Sequence, residues 1–303
     1  MKYIKAGNKD VSIIGAGCMR IARMNQNEAD AFVKAALDAG INFFDHADIY
    51  GGGKSEEIFG GLFASQPALR DKMFIQSKCA IHDGLFDFSK DYILKAVDGI
   101  LSRLHTDHID SLLLHRPDAL MEPQEVGEAF AELHQSGKVG IFGVSNMNPM
   151  QMELLKTGLS CDLWASQIQM SIAFAPSLEA GFNVNMDIDP SIMRDGGILE
   201  YCRLKDMAVQ TWSPLQKGYF KGVFIDDPEY EGLNAMMQEI ATKYKVGKDT
   251  IAYAWNLRYP AKMQVITGTT KPERLLSAAQ AADITLTKEE WYGLYKASGR
   301  KLP

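Results

Sequence analysis

The sequence predicts an α/β fold, specifically a (β/α)8 TIM barrel with an N-terminal β-hairpin and an extra C-terminal helix. Three observations lead there. About eight strand-like stretches alternate with helix-like stretches, which favours a parallel sheet with right-handed crossovers. Polar residues follow most of these strands at their carboxyl ends, as in barrel enzymes. No linker-like or low-complexity segment divides the 303 residues, so we predict a single domain over residues 1–303.

The predicted strands are short apolar runs that end at polar or glycine residues. Residues 1–12 form a hairpin around the turn Gly7-Asn8-Lys9-Asp10, and Ile13-Ile14 leads into Gly15-Ala16-Gly17-Cys18-Met19. Further strands are predicted at 41–44, 73–77, 108–114, 139–144, 163–168, 207–211 and 264–266.

The predicted helices have apolar residues at helical spacing and recognisable ends. In 89–104, Ser89 is a suitable N-cap, and the apolar stripe includes Ile93, Val97 and Ile100. Glycine ends the helices 27–39, 55–59 and 124–135. Thr287 and Glu290 form a capping box for a last helix to Ala297. Helices are also predicted at 149–156, 198–205, 233–244, 249–258 and 273–282, whereas 171–190 and 215–232 are predicted to be irregular.

Composition disfavours several classes of function. A net charge of −6 argues against nucleic acid or an anionic membrane surface as the main partner. No apolar run approaches membrane-span length, and the N-terminus lacks the features of a signal peptide. The four cysteines are scattered, which favours free thiols and a cytoplasmic protein. The histidines show no metal-ligand spacing, so no metal site is expected.

An open, doubly wound sheet is the alternative fold. Gly15-Ala16-Gly17 resembles the start of a dinucleotide-binding GxGxxG motif, but Arg20 occupies the third glycine position. No acidic residue follows a second strand at the distance that binds a ribose. Both facts favour the barrel.

In a barrel, the residues at the carboxyl ends of the strands converge on one mouth. These residues include a carboxylate, a phenol, an ammonium group, an imidazole, several amides and an indole. They are Cys18, Met19, Asp45, Tyr50, Lys78, His115, Ser145, Asn146, Gln167, Trp212, Ser213, Gly268, Thr269 and Thr270. One polar group per strand end is the pattern expected of a barrel active site.

Six stretches resemble motifs of the aldo-keto reductase superfamily, in the family's order and over almost the whole chain. The longest, at 40–60, is G-x-x-x-F-D-x-A-x-x-Y-G-x-x-x-S-E-E-x-x-G. The others are IQSK at 75–78, DSLLLHRPD at 110–118, GVSN at 143–146, WSPL at 212–215 and GTTKPER at 268–274. The chain is most similar to a bacterial-type oxidoreductase branch of the family.

This resemblance implies NADPH-dependent reduction of an aldehyde or ketone. Tyr50 matches the family's proton donor, and Asp45, Lys78 and His115 match the rest of its catalytic tetrad. A free tyrosine has a pKa of about 10, and a neighbouring ammonium is expected to lower it. We expect Asp45 to hold Lys78 in place, and a neutral His115 to orient the substrate carbonyl.

The resemblance also implies the residues that contact NADP(H). Ser145, Asn146 and Gln167 match those that bind the nicotinamide carboxamide, and Trp212 matches the aromatic ring that stacks on the nicotinamide. Further contacts to the cofactor are expected from Cys18, Met19, Asp45, Ser213, Pro214, Leu215, Gly218, Gly268, Thr269, Thr270, Lys271 and Arg274. Among these, Thr269, Thr270, Lys271 and Arg274 match the pocket for the adenosine 2′-phosphate, which favours NADP over NAD.

Two departures from the family pattern leave questions open. Ser277 and Ala278 stand where many members have Glu and Asn near the adenine, so the adenine contacts are undetermined. In the irregular segment 171–190, Phe174, Phe182 and Met186 either line a substrate pocket or cover the barrel. The physiological substrate, the direction of flux and the oligomeric state also stay open, with a monomer as the default expectation.

Three alternatives compete with an active reductase. One is a non-catalytic NADPH-binding sensor or regulatory subunit of the same fold. Another is a phosphate-binding aldolase that uses Lys78 as a Schiff-base amine. Tyr50 and Lys54 also give the Y-x-x-x-K spacing of short-chain dehydrogenases, but that pair requires a helix. The three intervening glycines disfavour one by about 1 kcal/mol each.

Overall fold

The computed structural model describes residues 1–302, and within them the predicted barrel is confirmed. The strands are β1 (Tyr3–Ala6), β2 (Lys9–Ser12), β3 (Ile14–Gly17), β4 (Phe43–Asp45), β5 (Phe74–Cys79), β6 (Ile81–His82), β7 (Leu85–Phe86), β8 (Ile109–Leu114), β9 (Val139–Ser145), β10 (Leu163–Gln169), β11 (Ala208–Trp212) and β12 (Lys262–Thr267). The helices are α1 (Gln26–Asp38), α2 (Lys54–Ser65), α3 (Lys90–Leu104), α4 (Pro123–Gln135), α5 (Pro149–Lys156), α6 (Pro176–Phe182), α7 (Ile198–Leu204), α8 (Glu231–Tyr244), α9 (Lys248–Leu257), α10 (Pro272–Gln280) and α11 (Lys288–Ala297).

Eight parallel strands close the barrel in the order β3-β4-β5-β8-β9-β10-β11-β12. The barrel closes where Val265 of β12 pairs with Ile14 of β3. Every strand therefore ends at the same mouth, which brings residues far apart in sequence together.

The hairpin formed by β1 and β2 leads into β3 and packs against the barrel interior. Ala6 and Val11 form a small apolar cluster with Phe43, Phe74 and Ile266. The Phe43 and Phe74 rings are stacked with centroids 5.3 Å apart. This cluster is separate from the main core, which lies between the strands and the surrounding helices.

The predicted helix ends are confirmed where a side chain caps the helix. Ser89 accepts a hydrogen bond from the backbone of Tyr92 at the start of α3. Thr287 and Glu290 form the predicted capping box of α11.

The prediction for α2 is wrong, because this helix continues through Gly60 and Gly61 to Ser65. Gly60 does not end the helix; it lets α2 approach α3 closely. A Cβ built at Gly60 lies 2.8 Å from Cα of Leu104, which is closer than real Cβ contacts allow.

The segment 171–190 is more ordered than the sequence suggests, since it contains α6 and the start of a short 3₁₀ turn at Asp189–Ser191. Pro176 at the first position of α6 favours a helix start there. Phe182 packs against Trp291 and Tyr295 of α11, so it covers the barrel.

The small hairpin of β6 and β7 was not predicted. In the described part of the chain, no helix has both the length and the apolarity to cross a bilayer.

Candidate active site

A cavity of about 580 Å³ opens at the carboxyl ends of the strands. This volume suits a cofactor together with a small substrate. Most of the predicted site residues line it: Met19, Asp45, Tyr50, His115, Ser145, Asn146, Gln167, Trp212, Ser213, Pro214, Leu215, Gly268, Thr269, Thr270, Lys271 and Arg274.

Three of the predicted tetrad members form a hydrogen-bonded group. Nζ of Lys78 lies 2.7 Å from Oδ2 of Asp45 and 3.3 Å from the hydroxyl oxygen of Tyr50. The same ammonium donates to the carbonyl of His46 at 2.8 Å. Lys78 is fully buried and lies behind Tyr50 instead of lining the cavity. The ammonium is therefore connected to the cavity through the tyrosine hydroxyl.

Burial and the neighbouring side chains shift the pKa of Lys78 in opposite directions. Burial lowers the pKa of Lys78, but Asp45 and Tyr50 raise it and leave it above its ordinary value. Lys78 is therefore a cation at neutral pH, held by a carboxylate.

Lys78 lowers the pKa of Tyr50 as expected, but this effect does not decide the net shift. Burial raises the pKa of Tyr50, and the opposing effect of Lys78 is too small to reverse the rise. Tyr50 is therefore protonated at neutral pH, as a proton donor must be. The ammonium at 3.3 Å would stabilise a phenolate at this position.

His115 contributes a neutral imidazole to the cavity wall. Burial, Lys78 and Arg116 hold the pKa of His115 well below its ordinary value. Its ring is nearly perpendicular to that of Tyr50, with centroids 6.0 Å apart. The neutral state matches the expectation from the sequence and leaves the ring able to donate one hydrogen bond.

The ends of β9, β10 and β11 form a set of linked polar groups. Ser145 Oγ donates to the carbonyl of Gln167 at 3.1 Å and accepts from Nδ2 of Asn146 at 2.7 Å. Nε1 of Trp212 donates to Oδ1 of Asn146 at 3.2 Å, which orients the indole beside the amides. Asn146 and Ser213 have φ values of 55° and 51°. Such left-handed backbone costs about 1–3 kcal/mol in a non-glycine residue and often marks functional sites.

The far end of the cavity is basic. Lys271 is the N-cap residue of α10, and Arg274 lies in its first turn. Both side chains are exposed, and neither has a hydrogen-bond or ion-pair partner among residues 1–302. The backbone N–H of Lys271 donates to Oγ1 of Thr269 at 3.1 Å. Two free cations at a helix N-terminus are suited to a phosphate.

Besides Lys78, four residues that the sequence analysis placed at or near the cofactor lie away from the cavity. Cys18 is fully buried, with its Sγ directed to the carbonyl of Ala16. Gly218 is buried in a turn, where its carbonyl accepts from Lys221. Ala278 faces the core, and Ser277 bonds to Thr250 and Asp249. None of the four offers a side chain to a ligand in the cavity.

Sequence reasoning missed several residues of the cavity wall. Arg116 follows His115 directly, and its adjacency to a strand end was the available signal. The sequence around the others has no pattern that marks a site. They are Arg20, Ile49, Ile81, Gln216, Tyr219, Phe220, Val223 and Tyr253. The arrangement as a whole can deliver a proton from Tyr50 to a bound carbonyl oxygen. No cluster of three or more potential metal ligands exists in residues 1–302.

Comparisons with known proteins agree with this fold and show the family. The model of the Aldo/keto reductase family matches residues 13–297. The chain is 35% identical to Oxidoreductase YdhF of Escherichia coli, covering 91% of this chain and 89% of the relative. It is also 35% identical to the 6-dehydroglucose reductase of Agrobacterium fabrum, covering 97% of each chain.

Two solved structures share the fold at 25% identity. The thermostable aldo-keto reductase Tm1743, crystallised with the inhibitor epalrestat, has a TM-score of 0.79 and covers 98% of this chain and 100% of its own. The aldo/keto reductase of Klebsiella pneumoniae in complex with NADP and acetate has a TM-score of 0.74 and covers 95% of this chain and 91% of its own.

Proposed function

Because the chain belongs to the aldo/keto reductase family, we propose that it reduces an aldehyde or ketone to an alcohol with NADPH. The observation that carries this proposal is the position of Lys78. Its ammonium lies between the carboxylate of Asp45 and the hydroxyl of Tyr50, and Tyr50 lines the cavity. The predicted resemblance to bacterial-type oxidoreductases of this family is confirmed.

Each of the four tetrad residues has a distinct role in this proposal. When bound, the reduced nicotinamide supplies a hydride to the carbonyl carbon. Tyr50 donates its hydroxyl proton to the carbonyl oxygen, and Lys78 stabilises the resulting phenolate. Asp45 holds Lys78 charged and in place, and His115 holds the carbonyl oxygen with a hydrogen bond from its neutral ring.

The residues of the cavity fit NADP(H). The free cations Lys271 and Arg274 suit the 2′-phosphate, and the indole of Trp212 offers a flat face to the nicotinamide. The Klebsiella relative with bound NADP supports the same choice. On this proposal, Ser145, Asn146 and Gln167 bind the carboxamide, whose amide group requires both donors and acceptors.

The substrate is a small carbonyl compound, and the relatives suggest where to look. The Agrobacterium protein and one from Novosphingobium aromaticivorans, also 35% identical, are both named 6-dehydroglucose reductase. A sugar oxidised to an aldehyde therefore belongs in any substrate screen. An intact Tyr50 at the cavity, with Lys78 bonded behind it, favours the enzyme over a non-catalytic sensor.

The experiment that tests the proposal measures NADPH and NADH consumption by the purified protein. The panel contains simple aldehydes, diketones, quinones and 6-dehydroglucose. We expect turnover with at least one carbonyl, faster with NADPH than with NADH at equal concentration. Absence of turnover across the panel, or a preference for NADH, would contradict the proposal.

A further inference from the structure

Four glutamine side chains cross the barrel interior from Asp45 toward the N-terminal hairpin. We call them the glutamine chain: Gln76 of β5, Gln167 of β10, Gln210 of β11 and Gln264 of β12. All four are at least 98% buried. Buried amides are costly unless they are hydrogen-bonded, and apolar side chains could fill this space without that requirement. Their arrangement therefore calls for an explanation beyond packing.

At the end nearer the cavity, the glutamine chain contacts the carboxylate of Asp45. Nε2 of Gln76 donates to Oδ1 of Asp45 at 2.7 Å, and Nε2 of Gln167 donates to the same oxygen at 3.0 Å. Oδ2 of Asp45 accepts from Lys78. An ionised carboxylate can only accept hydrogen bonds, so both glutamines must turn their amino groups toward Asp45.

Below Asp45, Gln210 links the other three amides. Its Oε1 accepts from Nε2 of Gln76 at 2.8 Å and from Nε2 of Gln167 at 3.0 Å. Its Nε2 donates to Oε1 of Gln264 at 2.8 Å and to Oε1 of Gln76 at 3.2 Å. Nε2 of Gln264 donates to the carbonyl of Ser12 at 2.7 Å. Because both ends of the glutamine chain are acceptors, the direction of every amide is determined.

This arrangement decides which atom Gln167 offers to the cavity. Asp45 and Gln210 take up its amino group, whereas its Oε1 has no partner among residues 1–302. Gln167 lines the cavity, so the group it presents there is a carbonyl oxygen, which accepts a hydrogen bond. A ligand that matches it must carry an N–H group.

We propose that Gln210 is a positioning residue that keeps Oε1 of Gln167 directed at the amino group of the nicotinamide carboxamide. Gln76 shares the role by holding Asp45, the other acceptor for the amino group of Gln167. This inference rests on the proposed NADP(H)-dependent function. Loss of Gln210 removes one of the two acceptors that fix the amide of Gln167. Asp45 alone then holds the amino group, so the amide can tilt and direct its Oε1 away from the carboxamide.

The test compares NADP⁺ with its analogue in which an acetyl group replaces the carboxamide. The analogue keeps the carbonyl oxygen but lacks the amino group that Oε1 of Gln167 accepts from. Dissociation constants are measured by calorimetry for wild type, Gln210→Met and Gln264→Met. Gln264→Met is the matched control, since it also removes a buried amide of the glutamine chain but does not touch Gln167.

We expect Gln210→Met to weaken NADP⁺ binding about tenfold, the effect of losing one hydrogen bond, and to change analogue binding less than twofold. Gln264→Met should alter neither constant more than twofold. Equal weakening of both dinucleotides by Gln210→Met would indicate a general structural effect and overturn the inference. An unchanged NADP⁺ constant in Gln210→Met would overturn it as well.

Wild type alone provides a second measurement that does not depend on the variants folding. It should bind NADP⁺ about tenfold more tightly than the acetyl analogue, and equal affinity would overturn the inference. A wild type that reduces carbonyls with NADPH but shows equal affinity defeats this inference and leaves the proposed function intact. A wild type that binds neither dinucleotide defeats both.

Discussion

Asp48 is a half-buried carboxyl group close to the predicted tetrad. Its backbone N–H donates to the carbonyl of Lys78 at 3.0 Å. Burial and the neighbouring Glu56 raise the pKa of Asp48 to about 7, against the opposing effects of Arg103 and Tyr92. Its Oδ1 is buried without a hydrogen-bond partner in the described chain. Between about pH 4 and pH 7, Asp48 is thus a neutral acid in the folded protein but ionised in the unfolded chain.

This raised pKa predicts a pH-dependent stability. A carboxyl group with a raised folded-state pKa contributes stability below its unfolded pKa of about 4, and that contribution is lost as the pH rises to about 7. We expect the Asp48 contribution to fall by about 2–3 kcal/mol between pH 5 and pH 8. Urea unfolding of wild type and Asp48→Asn at both pH values measures it. The variant should lose less stability than wild type over this range, and an equal loss would contradict the assignment.

The identities of the site residues were the most predictable feature of the site, and their pKa shifts were the least predictable. The positions of Asp45, Tyr50, Lys78 and His115 follow from motifs at strand ends, and the structure brings all four together. The raised pKa of Tyr50 could not be foreseen, because it depends on how deeply surrounding loops bury the hydroxyl. Gln76 and Gln210 could not be distinguished from ordinary strand residues, since only their register in the barrel brings them together.

At the scale of elements, the contact between α2 and α3 depends on glycine. A Cβ at Gly60 would collide with the backbone of Arg103 and Leu104. A Cβ at Gly61 would meet only the side chain of Gln26, which can move. The two glycines are adjacent on one helix, so Gly61 is a matched control for a substitution at Gly60.

We predict that alanine destabilises the protein at Gly60 but not at Gly61. Gly60→Ala should lower the free energy of unfolding by about 1–3 kcal/mol, because it forces two helices apart. Gly61→Ala should leave it unchanged or raise it by up to about 1 kcal/mol through helix propensity. Guanidinium unfolding curves measure both. Equal effects of the two substitutions would show that close packing at Gly60 is unimportant.

Glycine also explains the main error in predicting elements from the sequence. A glycine after a helical pattern usually marks an end, and it did so for α1, where Gly40 has a φ of 78°. At Gly60 the same residue permits close packing inside a helix. Local sequence does not distinguish these uses, because the partner, α3, lies more than thirty residues away.

The N-terminus of α10 should determine the choice between NADPH and NADH. Lys271→Ala combined with Arg274→Ala removes both free cations, so NADPH binding should weaken on the order of tenfold to a hundredfold. NADH lacks the 2′-phosphate, and its binding should change less than about threefold. Lys288→Ala, an exposed lysine outside the cavity, serves as the control in calorimetric titrations. Equal losses for both cofactors would contradict this role.

At the scale of the whole molecule, we propose that residues 1–303 are one domain. The barrel closes between β12 and β3, so neither half of the chain has a complete sheet. The four tryptophans are spread over β10, β11, α9 and α11. Tryptophan fluorescence and far-ultraviolet circular dichroism should therefore report one coincident unfolding transition. Two separated transitions would indicate independent domains.

The central claim is that Tyr50 delivers the proton in carbonyl reduction, and one paired measurement tests it. Wild type and Tyr50→Phe are compared for NADPH consumption with the best substrate of the screen and for NADP⁺ affinity in the same preparations. We predict a loss of turnover on the order of 10²–10⁴, with NADP⁺ affinity within about threefold of wild type. Turnover in Tyr50→Phe comparable to wild type would contradict the account.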